Sequence, residues 1–114
     1  MGYVPQVRLP YRATMNGGFD FSYIFNENGN LIKPAYEEHS RSGRHGEDVY
    51  ELGPGVYYAV IFTRPNNPRR LPSVTYMRVT VSSNGVRKEV ISEGEVPEPV
   101  LARTRSIYNR LVSE

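Results

Sequence analysis

Two runs of β-forming residues constrain the fold of this chain more than any other feature. In the first run, Phe19, Phe21, Tyr23 and Phe25 occupy every second position. The second run, residues 48–63, passes through a Gly-Pro-Gly turn into a stretch that is apolar on both faces. A period of two is that of a β-strand, and two apolar faces indicate a central strand. The sequence therefore predicts an all-β core.

Turn signals divide the neighbouring sequence into further short strands. The Asn-Gly pair at 28–29 predicts a tight type I′ hairpin turn. Residues 73–82 and 86–92 form a second predicted hairpin, whereas the polar stretch 35–47 is predicted to be a long exposed loop. About seven short strands at this spacing predict a β-sandwich of jelly-roll or immunoglobulin-like type.

The two ends of the chain differ from this centre. Residues 1–17 contain Pro5 and Pro10, and because proline cannot donate a ladder hydrogen bond, they are predicted to form an extended N-terminal arm or edge strand. Residues 18–96 form the predicted sandwich. In residues 97–114, apolar side chains recur at helical spacing after a Pro-Glu-Pro start signal, which predicts an amphipathic α-helix. A chain of 114 residues fits a single domain.

Composition limits the classes of function. The chain has no cysteine, which excludes disulfides, thiolate metal sites and cysteine nucleophiles. It shows neither a secretory leader nor a run of about 18 apolar residues, which predicts a cytoplasmic or particle-associated protein without membrane contact. The formal net charge of +2 is too small for the electrostatic footprint of a nucleic-acid-binding protein.

Arginine dominates the basic residues, since only Lys33 and Lys88 of the 14 are lysines. This bias suits a contact surface, and a GC-rich or thermophilic genome would also produce it. Arginines interleaved with tyrosines could bind single-stranded nucleic acid, although solvated arginines and core tyrosines are the preferred interpretation. The candidate surface residues are Arg64, Arg69, Arg70, Arg78, Tyr57, Tyr58 and Tyr76.

The polar stretch 37–48 holds both histidines of the chain among acidic residues. Imidazole and carboxylate groups are ligand types for Zn²⁺ and related ions. The weak candidate ligands are Glu37, His39, His45, Glu47 and Asp48. Their spacing matches no standard metal signature, so a solvated or partner-contacting loop is preferred and no metal or cofactor is predicted. Without a nucleophile elbow or a phosphate-binding loop, the sequence also predicts a non-enzymatic protein.

The segments FDFSYIFNENGNLI (19–32) and YELGPGVYYAVI (50–61) together resemble the bacterial pre-peptidase C-terminal domains. In that family a "dpdGnl" hairpin precedes a "pGtYyv" turn and strand, and a strand ending "YtL" follows. Here VTYMRVTV (74–81) occupies the last place. The resemblance covers about residues 18–82 and implies a jelly-roll β-sandwich, accessory to secreted enzymes, that binds polymers such as collagen or glycans.

The predicted terminal helix would cover an open end of its own sheet, which is the slightly favoured interpretation, or dock on another subunit. Its apolar stripe consists of Leu101, Thr104, Ile107, Tyr108 and Leu111. Docking in trans, together with a free N-terminal arm, is the arrangement expected of a coat or cement subunit. We therefore expect a structural subunit of a larger particle, virions included, with protein partners and a homo-oligomeric state. The alternatives are a polymer- or glycan-binding accessory module and a single-stranded nucleic-acid binder.

Overall fold

The computed structural model describes residues 4–113 of the chain. Eight strands are followed by a short 3₁₀ turn at Glu93–Glu95 and by one α-helix. The elements are β1 (Gln6–Ala13), β2 (Phe19–Asn26), β3 (Leu31–Ile32), β4 (Tyr36–His39), β5 (His45–Glu51), β6 (Gly55–Arg64), β7 (Ser73–Ser82), β8 (Gly85–Ile91) and α1 (Glu98–Ser113). The prediction of an all-β protein with one C-terminal helix is confirmed.

Hydrogen bonds connect all eight strands in one antiparallel sheet. Its order is β4-β5-β1-β2-β6-β7-β8, and β3 pairs with β2 beside this path. Strand β6 is central, as its two apolar faces predict, and it pairs with β2 and β7 along most of its length.

The sheet is curled, so that part of it packs against the rest. Strand β1 pairs with β5 over seven residues but with β2 only at Arg12 and Ala13. Beyond this corner, Val7 and Leu9 of β1 pack against Ile24 of β2 and Ala59 of β6. Three layers result, with β1 and β5 on one face of β2-β6-β7 and helix α1 on the other. The sandwich or jelly-roll type stays a prediction.

The prediction that the N-terminal segment forms a free arm or an edge strand is wrong. Strand β1 lies inside the sheet, between β5 and β2. Pro10 is compatible with this position because its carbonyl oxygen accepts a hydrogen bond from the Ser22 hydroxyl at 2.8 Å, where β1 has already parted from β2. The missing N–H of proline therefore interrupts no ladder on that side. Residues 1–3 of the predicted arm lie outside the described residues.

The prediction of a long exposed loop at residues 35–47 is wrong, because most of this stretch is β-strand. Strand β4 and the start of β5 form a hairpin in which His39 pairs with Gly46. The polar composition of this stretch indicated a loop. It is polar because β4 lies at the edge of the sheet, where three of its four residues are exposed. Polar side chains are tolerated on such an edge.

Helix α1 covers the β2-β6 face of its own sheet. Val100 and Ile107 are buried there with Phe25, Val60 and Phe62. Its first turn also shapes the hairpin after β2, because a Cβ added at Gly29 would lie 2.7 Å from the Pro99 carbonyl oxygen. A type I′ hairpin turn has two central residues, both with a positive φ. Four residues connect β2 to β3, and no described non-glycine residue has a positive φ, so the prediction of a type I′ turn is wrong.

Within the described residues, no helix is both long and apolar enough to span a bilayer.

Candidate functional site

The predicted arginine and tyrosine surface is not assembled as one platform. Tyr57 and Tyr58 are consecutive in β6 and therefore point to opposite faces of the sheet. Tyr58 belongs to the buried core under the helix, Tyr76 packs against that core, and Tyr57 packs beside the opposite core. The tyrosines are thus packing residues, in agreement with the preferred interpretation of the sequence.

Two of the four arginines make contacts within the chain. Arg64 donates to the Gly17 carbonyl oxygen at 2.7 Å, and its guanidinium lies 4.7 Å from the centroid of the Phe19 ring. Arg78 forms an ion pair with Glu89 at 2.9 Å, and this hydrogen bond is the main cause of its raised pKa. Arg69 and Arg70 are exposed in the loop before β7.

Side chains of the acidic hairpin β4–β5 alternate between the two faces of the sheet. Glu37 lies directly opposite Asp48, and His39 lies two pairs further along the ladder, on the same face as Glu37. The His39 Nε2 and Asp48 Oδ1 atoms are 2.9 Å apart. One ligand atom from each of Glu37, His39 and Asp48 lies within 4.8 Å of the others. We call these three residues the inner cluster.

The other two candidate ligands are on the opposite face. His45 and Glu47 differ from Asp48 by an odd number of positions in β5, so they point away from the inner cluster. Glu47 lies opposite Glu38 of β4. Arg8 of β1 contacts both, with an ion pair to Glu38 and a longer one to Glu47 at 3.5 Å. The hydrogen bond to Glu38 is the main cause of the raised pKa of Arg8.

An aromatic contact orients the histidine of the inner cluster. The Tyr11 and His39 rings stack at 4.0 Å with an interplanar angle of 8°. Both residues pair with Gly46, which lies between them in β5. A Cβ at Gly46 would clash with the Glu38 carbonyl oxygen and lie 2.6 Å from the His39 Cα atom, and its φ of 151° also disfavours a side chain. Gly46 therefore permits the close approach of β4.

A cleft of about 220 Å³ opens beside the inner cluster. It adjoins the part of β2, around Ser22, that lies between the β1 and β3 pairings. Lys33 of the β3–β4 connection lines it together with Glu37 and Asp48. Burial is the main cause of a raised pKa at Tyr50 and at Tyr23, and in both cases the nearby Asp48 carboxylate raises the pKa further. Tyr23 and Tyr50 are therefore neutral at physiological pH.

The chemistry available to the inner cluster is narrow. Among residues 4–113, the only side-chain hydrogen bond of His39 is to Asp48, so no hydroxyl nucleophile is paired with the imidazole. The carboxylates and the imidazole can hold a cation, or Asp48 can orient the ring of His39.

The two strands that end the sheet order, β4 and β8, have free edges of unlike charge. Within the described residues, β4 and β8 each pair on one side only. Strand β4 carries Glu37 and Glu38, of which Glu38 is paired with Arg8 of β1, whereas β8 carries Arg87 and Lys88 beside one acid, Glu89, which is paired with Arg78. One edge is therefore acidic and the other basic.

The predicted assembly helix lies on its own chain. Thr104 and Ile107 are buried, and the Thr104 hydroxyl donates to the Val100 carbonyl oxygen at 2.9 Å. The other three stripe residues, Leu101, Tyr108 and Leu111, pack against the same core. The stripe is thus occupied by intramolecular packing, the first of the two interpretations.

Sequence reasoning did not find Tyr11 as part of the site and grouped His45 and Glu47 with Asp48. Alternation within residues 45–51 could have separated them, because odd and even positions of a strand face opposite sides. The partnership of Tyr11 with His39 had no local signal, since 28 positions of chain separate the two residues.

No protein-family model, curated protein or solved structure matches this chain.

Proposed function

We propose that this protein is a non-enzymatic assembly subunit whose copies join through the edge strands of their sheets. The observation that carries the proposal is the open sheet, which ends in acidic β4 on one side and in basic β8 on the other. Unpaired N–H and C=O groups on such edges are a template for pairing with another chain. A particle with protein components, a virion included, is the kind of assembly that the sequence predicts.

Charge supports one mode of pairing over the others. Like edges repel, whereas β4 of one copy and β8 of another attract. In an antiparallel register that places Glu37 opposite Lys88, Glu38 falls opposite Arg87. Each exposed pair would contribute about 0.2–1 kcal/mol, and the backbone ladder would add hydrogen bonds along four residues of β4. A head-to-tail contact of this kind produces a ring or an open filament.

The layering of the sheet supports the finer architecture that the sequence predicts. We propose that β4-β5-β1 and β3-β2-β6-β7-β8 are the two sheets of a sandwich, joined at the corner formed by Arg12 and Ala13. In this sandwich β4 and β8 are edge strands at the surface, one in each sheet, as the assembly proposal requires, and β1 and β3 form the other two edges. Polymer binding, which the pre-peptidase resemblance implies, and nucleic-acid binding stay alternatives that no contact in the structure favours.

Light scattering coupled to size exclusion, with a chelator in the buffer, tests the assembly. We expect a mass that grows with protein concentration and shrinks at 1 M salt, where the screening length falls from about 8 Å to about 3 Å. A constant monomer mass at the highest attainable concentration and low salt would refute the proposal.

A charge exchange tests the edges themselves. The double variants E37K/E38K and R87E/K88E each have two edges of the same sign, so each alone should remain monomeric. When mixed, every acidic edge meets a basic one and assembly should return. Arg69→Glu with Arg70→Glu, in the exposed loop before β7, is the matched control and should assemble like the unaltered protein. Failure of the mixture to assemble would rule out β4–β8 pairing.

A further inference from the structure

The hairpin β4–β5 contains two pairs of opposed carboxylates, one on each face. Glu38 lies opposite Glu47 on the outer face, and Glu37 lies opposite Asp48 on the inner face. Like charges directly opposite each other destabilise a sheet unless a counter-charge lies between them. A cation beside each pair would offset this repulsion.

The outer pair has its cation within the chain. Arg8 of the neighbouring strand β1 forms ion pairs with both Glu38 and Glu47. The carboxylates of this pair are half exposed, with 49% and 50% of their side-chain surface accessible. Water screens their repulsion further.

The inner pair has no equivalent arginine or lysine. Across residues 4–113, the only ion pair made by Glu37 or Asp48 is the one between Asp48 and His39. An imidazole carries at most one positive charge, and two carboxylates face it. Lys33 lines the adjoining cleft but forms no ion pair with either acid. The side chain of Asp48 is only 12% exposed, so water screens its charge less than the charges of the outer pair, although Glu37 is exposed.

We propose that the inner cluster binds one divalent transition-metal ion of the Zn²⁺ type. Glu37, His39 and Asp48 would each supply one ligand atom, and the ion would provide the charge that Arg8 provides on the outer face. A mixed set of one imidazole and two carboxylates suits Zn²⁺ better than Mg²⁺, which takes oxygen ligands and retains water. Stacking on Tyr11 restricts the His39 ring, and the Nε2 atom of His39 already lies 2.9 Å from the Asp48 Oδ1 atom, where a bound ion would replace the hydrogen between them.

The remaining coordination positions would face the cleft. Three protein ligands leave a tetrahedral ion one open position, and the adjoining cleft of about 220 Å³ can admit water or a small anionic group. Lys33 lines the same space and would favour a ligand with negative charge. This ion site shares Glu37 with the proposed β4 edge contact. The two proposals are tested separately, because the assembly is measured with a chelator present, and His39→Gln and Asp48→Asn change the ion site without reversing the charge of the edge.

Calorimetric titration of the metal-free full chain with ZnCl₂ tests the proposal, and Co²⁺ absorption reports the ligand geometry. We expect one ion per chain for Zn²⁺ and at least tenfold weaker binding of Mg²⁺. Glu37→Gln, His39→Gln and Asp48→Asn should each weaken Zn²⁺ binding by about tenfold or more, since even indirect partners of metal ligands change affinity by about 10–100-fold. Because Glu37 is exposed and the substitution removes one of two opposed charges, Glu37→Gln should leave the melting temperature of the metal-free protein unchanged or raise it.

Matched controls come from the outer face of the same strand. His45→Gln and Glu47→Gln remove the same chemical groups from β5 and should leave Zn²⁺ affinity unchanged. The proposal is overturned by the absence of saturable Zn²⁺ binding, by equal binding of Mg²⁺, or by loss of binding in the His45 and Glu47 variants instead of the cluster variants.

Discussion

Replacing the buried helix residue Ile107 with alanine distinguishes two models, in which helix α1 packs on its own sheet or docks on another subunit. Ile107 is 6% exposed and belongs to the core with Phe25, Val60 and Phe62. In cis packing, the loss of stability comes from within one chain. It should then be the same at every protein concentration.

The magnitude follows from the atoms removed. Ile107→Ala deletes Cγ1, Cγ2 and Cδ1, and at about 0.8 kcal/mol per buried carbon the transfer loss is about 2.4 kcal/mol. The cavity left behind raises the loss toward the range of about 2–5 kcal/mol observed for such changes. Alanine has a higher helix propensity than isoleucine, which offsets about half a kcal/mol of this loss. The free energy of unfolding should therefore fall by about 2–4 kcal/mol.

Thermal and urea unfolding monitored by circular dichroism measure this loss. At about 4 °C per kcal/mol for a domain of this size, the melting temperature should fall by about 8–16 °C. Val112→Ala is the control in the same helix, because Val112 is 40% exposed and its truncation should change stability by less than about 0.5 kcal/mol. If the loss at Ile107 grew on dilution, or if both variants lost the same amount, the assignment of the helix to its own core would be refuted.

Three further predictions concern the cleft and the corner of the sheet. Gly46→Ala should lose more than about 1 kcal/mol of stability and expose the β4 amides to hydrogen exchange, whereas Gly43→Ala, which has a positive φ but open space around it, should lose less. The pKa of Tyr50 is raised in the native protein, so its hydroxyl loses a proton at lower pH in the unfolded chain than in the native one. The free energy of unfolding, measured in urea, should therefore decrease above about pH 10. Tyr50→Phe should flatten that decrease, and an unchanged slope would contradict the assignment. Arg12 donates to Asp20 at 2.9 Å and to the Arg64 carbonyl oxygen at 2.6 Å, so Arg12→Lys should lose about 1–3 kcal/mol in denaturant titration. A variant as stable as the original would show that these bonds do not hold the corner.

The sequence was a good guide where the signal is local. Alternation in residues 19–25 and the two apolar faces of residues 56–62 predicted β2 and the central strand β6. Helical spacing predicted α1 to within a residue or two of Glu98–Ser113. These features depend on neighbouring side chains and turns, so a short window contains the information.

The candidate site could be predicted only in part. His39 and Asp48 were among the candidates, and the structure brings them within 2.9 Å of each other. His45 and Glu47 were grouped with them because they are near in sequence, yet strand parity places both on the opposite face. Once β5 is known to be a strand, this separation follows without further information.

The sequence by itself therefore determined the strand-forming segments, the terminal helix and the residue types available for a site. Only the tertiary structure decided that β1 lies inside the sheet, that α1 covers its own β2-β6 face, and that Glu37 and Asp48 oppose each other without an arginine between them. The physical reason is that these features depend on contacts between distant parts of the chain. Arg8 lies 30 positions from Glu38, and no local period reports which strands become neighbours.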